Sequence, residues 1–215
     1  MSLPLQNLLS LAVTLASAGG LLALLHLQER AVGRYLSHNL GWRSVLVTGW
    51  LGVPVHELGH LVLAGLFAHR IIAWKLFEPD PVSGTLGYVR HAYSRQSLYQ
   101  VLGNVFIAAG PLLSGGLVLG ALLYWMLPAD ALTSLGREAL ALGSLDRWWR
   151  QVWDLGLSFA SLVWEHRTPW LPLQLYLAIC VASHLCPSRA DLTGALAGFC
   201  LLVGILAVVV AVLGW

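Results

Sequence analysis

The sequence predicts an all-α polytopic membrane protein of about five membrane segments, with one small β-hairpin and one interfacial amphipathic helix. Three observations carry this. Hydrophobic residues make up 58% of the 215 and charged residues only 10%, where soluble domains carry about 25% charged residues. Long apolar runs recur at 3–27, 44–67, 100–127, 171–185 and 192–214, and a spanning helix needs about 20 such residues. Most of the remaining charge is gathered between the runs. A formal net charge of +2 is too near balance to point to nucleic acid or to acidic surfaces. No internal repeat, low-complexity tract or soluble domain is visible, so 1–215 reads as a single membrane domain.

The run at 3–27 reads as a retained membrane helix. "ASA" at 16–18 could mimic a signal-peptidase site, but no Lys or Arg precedes Arg30, so the basic leader of a signal peptide is missing. The run at 44–67 contains Pro54, expected to kink the helix or to start a new one. Residues 71–93 have strand composition around "PDPVSG", which supplies turn chemistry, and so suit a hairpin. His69 and His91 flank that hairpin and read as interfacial. The run at 100–127 is broken by Gly110-Pro111, expected to shape a cavity. Residues 129–167 form an insertion in which Leu142, Leu145, Trp149, Val152 and Trp153 recur at helical spacing beside charges, the pattern of a helix lying on a membrane surface. The run at 171–185 is short for a span, and only "CPSRAD" separates it from the last. Either that separator bends inside the protein or one run is re-entrant, since irregular backbone at membrane depth needs protein or a polar cavity around it. Basic residues are spread almost evenly over successive loops, so orientation is not readable. Cys180, Cys186 and Cys200 match no zinc ribbon or disulfide framework.

One feature contradicts its surroundings. Between Val45 and Phe67 the only ionisable residues are His56, Glu57 and His60, in "VPVHELGHLVLAG". A charged residue at the centre of a membrane helix costs roughly 2.5–3.5 kcal/mol on insertion scales, which argues for function. The three fit H-E-x-x-H. Residues i and i+4 share a helix face, so both imidazoles can reach one tetrahedral metal, and the glutamate stands where it can take a proton from water as a base. The bland alternative is a His–Glu cluster that joins helices by hydrogen bonds. Gly59 and Gly65 suit close helix packing. A third ligand is needed, and Asp191 and His184 are the candidates. Ser188-Arg189-Ala190-Asp191 also reads as a capping box, and His184 also reads as a polar helix end.

These residues resemble the site-2 protease family of intramembrane zinc metalloproteases, of which the chain looks like a small, divergent member over about 44–127 and 171–214. The resemblance implies His56 and His60 as zinc ligands, Glu57 as the base and Asp191 as the third ligand. It implies His184, Ser114 (in "GPLLS") and Asn104 as groups that support the ligands or face the substrate, and the hairpin as a sheet that receives it. The implied cofactor is one zinc ion, and the implied partners are a transmembrane protein substrate and the lipid bilayer. For Asp191 to reach the depth of His56, a short helix over 171–184 must be followed by a buried turn. The function expected is a zinc peptidase that cuts in or near transmembrane segments. The alternative is a non-catalytic zinc-binding scaffold, against which the intact Glu57 argues. A transporter would need repeated halves or several midplane charges.

Overall fold

The computed structural model describes residues 41–140 and 148–213, with a few positions between 20 and 39. The expected helix over 3–27 lies almost wholly outside the described residues, as do Leu142 and Leu145 of the expected interfacial helix. In chain order the elements are α1 (Arg43–Leu66), β1 (Arg70–Lys75), β2 (Tyr88–Ala92), α2 (Leu98–Ala108), α3 (Gly110–Met126), α4 (Ala129–Leu140), α5 (Trp148–Glu165), α6 (Leu171–Ala182) and α7 (Arg189–Leu213). They fall into two compact units: residues up to Gly116 together with those from Cys180 onward, and Leu117–Ile179.

Among the described residues, α1 and Arg189–Val209 of α7 are long and apolar enough to cross a bilayer. A third span results if α2 and α3 are taken as one, bent by 46°. That is two to three of the five expected segments, and the segment at 3–27 falls outside the described residues. Part of the difference is physical: the 100–127 run is broken at Gly110-Pro111, and α6 is apolar but short.

Of the two outcomes expected at Pro54, a kink or a new start, the new start does not occur. Pro54 sits inside an unbroken α1. Proline removes one helical hydrogen bond, but in an apolar setting abandoning the helix would leave many more backbone groups unsatisfied. At the C-terminus of α1, His69 N–H donates to the Ala64 carbonyl at 2.9 Å, and Ala68 takes a left-handed conformation (φ 56°). This terminal turn satisfies orphan carbonyls and swings His69 into the corner between α1 and β1.

The hairpin is antiparallel, pairing Arg70 with Ala92, Ile71 with His91 and Lys75 with Tyr88, with a register shift between Ile71 and Ala73. Its long turn is held by Asp80, whose carboxylate accepts from Val82 N–H at 2.9 Å and from the Ser83 hydroxyl at 2.7 Å. Those bonds, the Ser83 hydroxyl first, keep Asp80 below the usual carboxylate range.

Backbones approach closely where glycine permits it. A Cβ built on Gly110 would lie 2.7 Å from the Gly59 carbonyl carbon, and one on Gly59 would strike the Gly110 carbonyl. A Cβ on Gly52 would meet the Cys180 carbonyl and the His184 ring, and one on Gly198 the Val101 carbonyl. Gly59 therefore behaves as the sequence suggests. Gly65 does not, since nothing lies within 4 Å of an added Cβ there.

In the other unit, Met126, Leu127 and Ala131 form a buried cluster joined by Leu135, Phe159 and Leu162. The described residues of the 129–167 insertion hold two helices, α4 and α5. Exposed Val152, Trp153 and Trp164 on α5 are the apolar residues that a surface-lying helix would need.

Gly59→Ala should push α1 away from the α2–α3 junction. It is expected to lower stability by about 1–3 kcal/mol and to reduce metal uptake by the adjacent histidines. Gly65→Ala should change neither. Thermal unfolding in detergent with elemental analysis checks both.

Candidate metal centre

The site is built on α1, with its counterparts at two helix breaks. His56 and His60 are four residues apart, so α1 presents both rings on one face. Each ring is aimed by a main-chain carbonyl. His56 Nδ1 lies 2.7 Å from the His184 carbonyl oxygen, and His60 Nδ1 lies 2.7 Å from that of Ile107. A carbonyl oxygen only accepts, so both Nδ1 atoms carry the proton and both Nε2 atoms present lone pairs.

Both carbonyls belong to places where a helix fails. In a continuous helix the Ile107 carbonyl would accept from residue 111, but Pro111 has no N–H to give. The His184 carbonyl would accept from residue 188, but Ser188 N–H is turned to Asp191 Oδ2 at 2.6 Å. The breaks at Gly110-Pro111 and Pro187 therefore supply the acceptors that fix both imidazoles. Fixing ligand tautomers in this way is the usual support for a metal-binding histidine.

His56 Nε2 and His60 Nε2 stand 3.2 Å apart. Two lone pairs facing each other at that distance need a cation between them or a proton on one ring. Asp191 Oδ2 stands 3.4 Å from His60 Nε2, and one donor atom from each of the three residues lies within 4.8 Å of the others. Ligands of a tetrahedral ion held at about 2.0–2.1 Å stand about 3.3 Å from one another. The two closest separations match that edge, so His56, His60 and Asp191 can hold a metal ion.

Asp191 reaches this place as the first acidic residue of α7. Ser188 Oγ accepts from Asp191 N–H at 3.2 Å while Asp191 Oδ2 accepts from Ser188 N–H. The capping box exists, and the same carboxylate oxygen meets His60. Cap and ligand position, opposed in the sequence reading, coincide. α6 ends at Ala182, and a turn containing the buried Cys186 and Pro187 leads into α7.

The other sequence candidates sit as follows. Glu57 is buried, 9% exposed, one position along α1 from His56. The His184 ring packs at Gly52, its Nδ1 3.0 Å from Ser183 Oγ and 3.1 Å from the Cys180 carbonyl; its main-chain oxygen is what meets His56. Ser114 Oγ donates to the Val55 carbonyl at 2.8 Å, which ties α3 to α1 one residue before His56. Asn104 is buried and lines an open cleft of about 270 Å³, together with Ile107 of α2, Val89, Arg90 and His91 of β2, and Asp191. That cleft lies between the hairpin and the candidate metal centre, with which it shares Asp191.

Sequence reasoning missed the pair formed by His69 and His91, which it placed at an interface. His69 is buried, 5% exposed. Its Nδ1 lies 2.9 Å from His91 Nδ1, and its Nε2 lies 2.9 Å from the Gln100 carbonyl. Burial, and then the neighbouring His69, hold the His91 imidazole below its ordinary value. The spacing of 22 residues across a hairpin gives no local signal.

No protein-family model, no characterised protein and no solved structure matches the chain. The chemistry of the donor set is what describes this site.

Replacing both His56 and His60 by alanine should abolish stoichiometric metal in purified protein. Pro111→Ala returns an N–H that competes with His60 for the Ile107 carbonyl. It is expected to weaken metal affinity by roughly 10- to 100-fold with all three donor residues intact. Competition with a chromogenic chelator measures both, and unchanged affinity in Pro111→Ala would refute the role given to the helix break.

Proposed function

We propose that this chain is a multi-pass intramembrane zinc metallopeptidase of the cell membrane, which hydrolyses peptide bonds in or near the transmembrane segments of other proteins. The observation that carries the reading is the convergence of two oriented imidazoles and one carboxylate beside a buried glutamate, on a helix long and apolar enough to cross a bilayer. Two histidines and a carboxylate are a donor set of zinc peptidases that leaves a fourth position open. The resemblance of His56–His60 and Asp191 to the site-2 protease pattern points the same way.

A zinc ion on this donor set supplies Lewis acidity, which acidifies water and polarises the scissile carbonyl. The protein's own groups do the rest. Glu57 takes a proton from the attacking water and delivers it to the leaving amine, so one C–O bond forms, one C–N bond breaks and the proton is conserved. Its burial excludes bulk water from that exchange. A transmembrane substrate must unwind locally, because helical hydrogen bonds shield its amides. The cleft beside β2 is where an extended stretch would lie. The two-stranded sheet has β1 on only one side of β2, so the far edge of β2 can pair with the substrate backbone.

Glu57→Gln keeps shape and removes the base. Cleavage of co-reconstituted transmembrane substrates should fall by about 10²-fold or more, with zinc content and thermal midpoint unchanged. If processing continues at the normal rate, the chain is a metal-binding scaffold and not a peptidase.

A further inference from the structure

The polar groups nearest the metal position leave one requirement of a peptide site unmet. An extended chain brings main-chain N–H groups into a cleft where water is scarce, and each needs an acceptor. Asp191 and the two Nε2 atoms are the donors that would hold the metal ion. The His69–His91 pair ends in an acceptor of the right kind.

The hydrogen atoms can be assigned along the chain of contacts. The Gln100 carbonyl only accepts, so His69 Nε2, 2.9 Å away, carries a proton. Neutral His69 then has a lone pair on Nδ1. His91 Nδ1, 2.9 Å from it, must donate. The remaining ring nitrogen of His91, Nε2, is left with a lone pair, and His91 lines the cleft with Asn104 and Asp191.

The support behind this chain is rigid. The Gln100 side chain donates to the Ala68 carbonyl at 2.7 Å and accepts from Ser94 N–H at 2.7 Å, binding the end of α1 to the exit of β2. His69 also stacks on Tyr93, with ring centroids 5.2 Å apart. A purely structural role would be met by His69 alone, bridging its corner to Gln100. The second histidine extends the chain to the cleft wall.

We infer that His91 is a substrate-binding residue whose Nε2 accepts a hydrogen bond from one main-chain N–H of the extended substrate, and that His69 is the positioning residue that holds its tautomer. This rests on the peptidase reading. It assigns to the hairpin a side-chain contact that sets which peptide bond stands over the metal, in addition to any pairing along the strand edge.

The probe is an apolar tripeptide hydroxamate, which binds a catalytic metal, with a set of analogues N-methylated at each amide in turn. Full-length zinc-loaded protein in detergent is titrated with each. One methyl should weaken binding to the wild type about three- to tenfold, the worth of one hydrogen bond, and the same methyl should cost nothing extra in His91→Ala. His91→Gln, which keeps an acceptor, should retain part of the penalty, and zinc content should be unchanged in both variants. Nitrogen-15 NMR of labelled histidine should show His91 protonated on Nδ1 and bare on Nε2, a reading that needs no variant to fold. The opposite tautomer, or an identical methylation profile in wild type and His91→Ala, overturns the inference alone. A parent hydroxamate that binds without dependence on metal, or not at all, overturns the peptidase reading and this inference with it.

Discussion

Two main-chain carbonyls, those of Ile107 and His184, determine what the rest of the centre can be. Each accepts a hydrogen bond from the Nδ1–H of one histidine and so leaves its Nε2 lone pair able to hold a metal ion. Neither oxygen would be available if its helix continued. In an apolar medium an unpaired carbonyl is costly, and so is an imidazole without partners. Joining the two deficits satisfies both groups. The kink at Pro111 and the turn at Pro187 are thereby parts of the metal site, although neither residue touches it.

The same logic governs the packing around α1. Gly59 lets the Gly110 backbone come into contact at the residue before His60, and Gly52 admits the end of α6 one turn before His56. These contacts place the broken ends within reach of the two rings. Apolar helices gain little from mere burial in lipid, so close backbone approach and shared hydrogen bonds must provide the specificity. Ser114, donating to the Val55 carbonyl, is a third such link on the same side of the helix.

Much of this was legible in the sequence because its signals are local. H-E-x-x-H declares two rings on one face, Gly110-Pro111 declares a break, and "PDPVSG" declares a turn between strands. Asp191 was legible as a cap and as a donor, but the local pattern offered these as rivals. Only the three-dimensional arrangement shows one carboxylate oxygen in both places. Pro54 starts no new helix because leaving the helix would unpair many more backbone groups than the one bond that proline removes. His184 was read for its imidazole, whereas its carbonyl carries the contact, and main-chain atoms leave no trace in residue identity. The His69–His91 pair depends on hairpin register and on a carbonyl of α2, both non-local. The first helix of the insertion, α4, is too polar overall to read as a span, although Ala131, Leu132 and Leu135 pack in the buried cluster.

Asp191 sits where α7 begins, and α7 is made long after α1. The first two donors are in place once α1 is made, some 130 residues earlier by position in the chain. An enzyme of the kind proposed here would work on membrane segments, and its own unfinished helices are membrane segments beside it. Placing the third donor and the His184 carbonyl so long after α1 means that a copy synthesised only as far as α6 holds an incomplete centre. For such an enzyme the order of synthesis would act as a safety catch, with competence arriving only once α7 has been inserted and its first turn has closed.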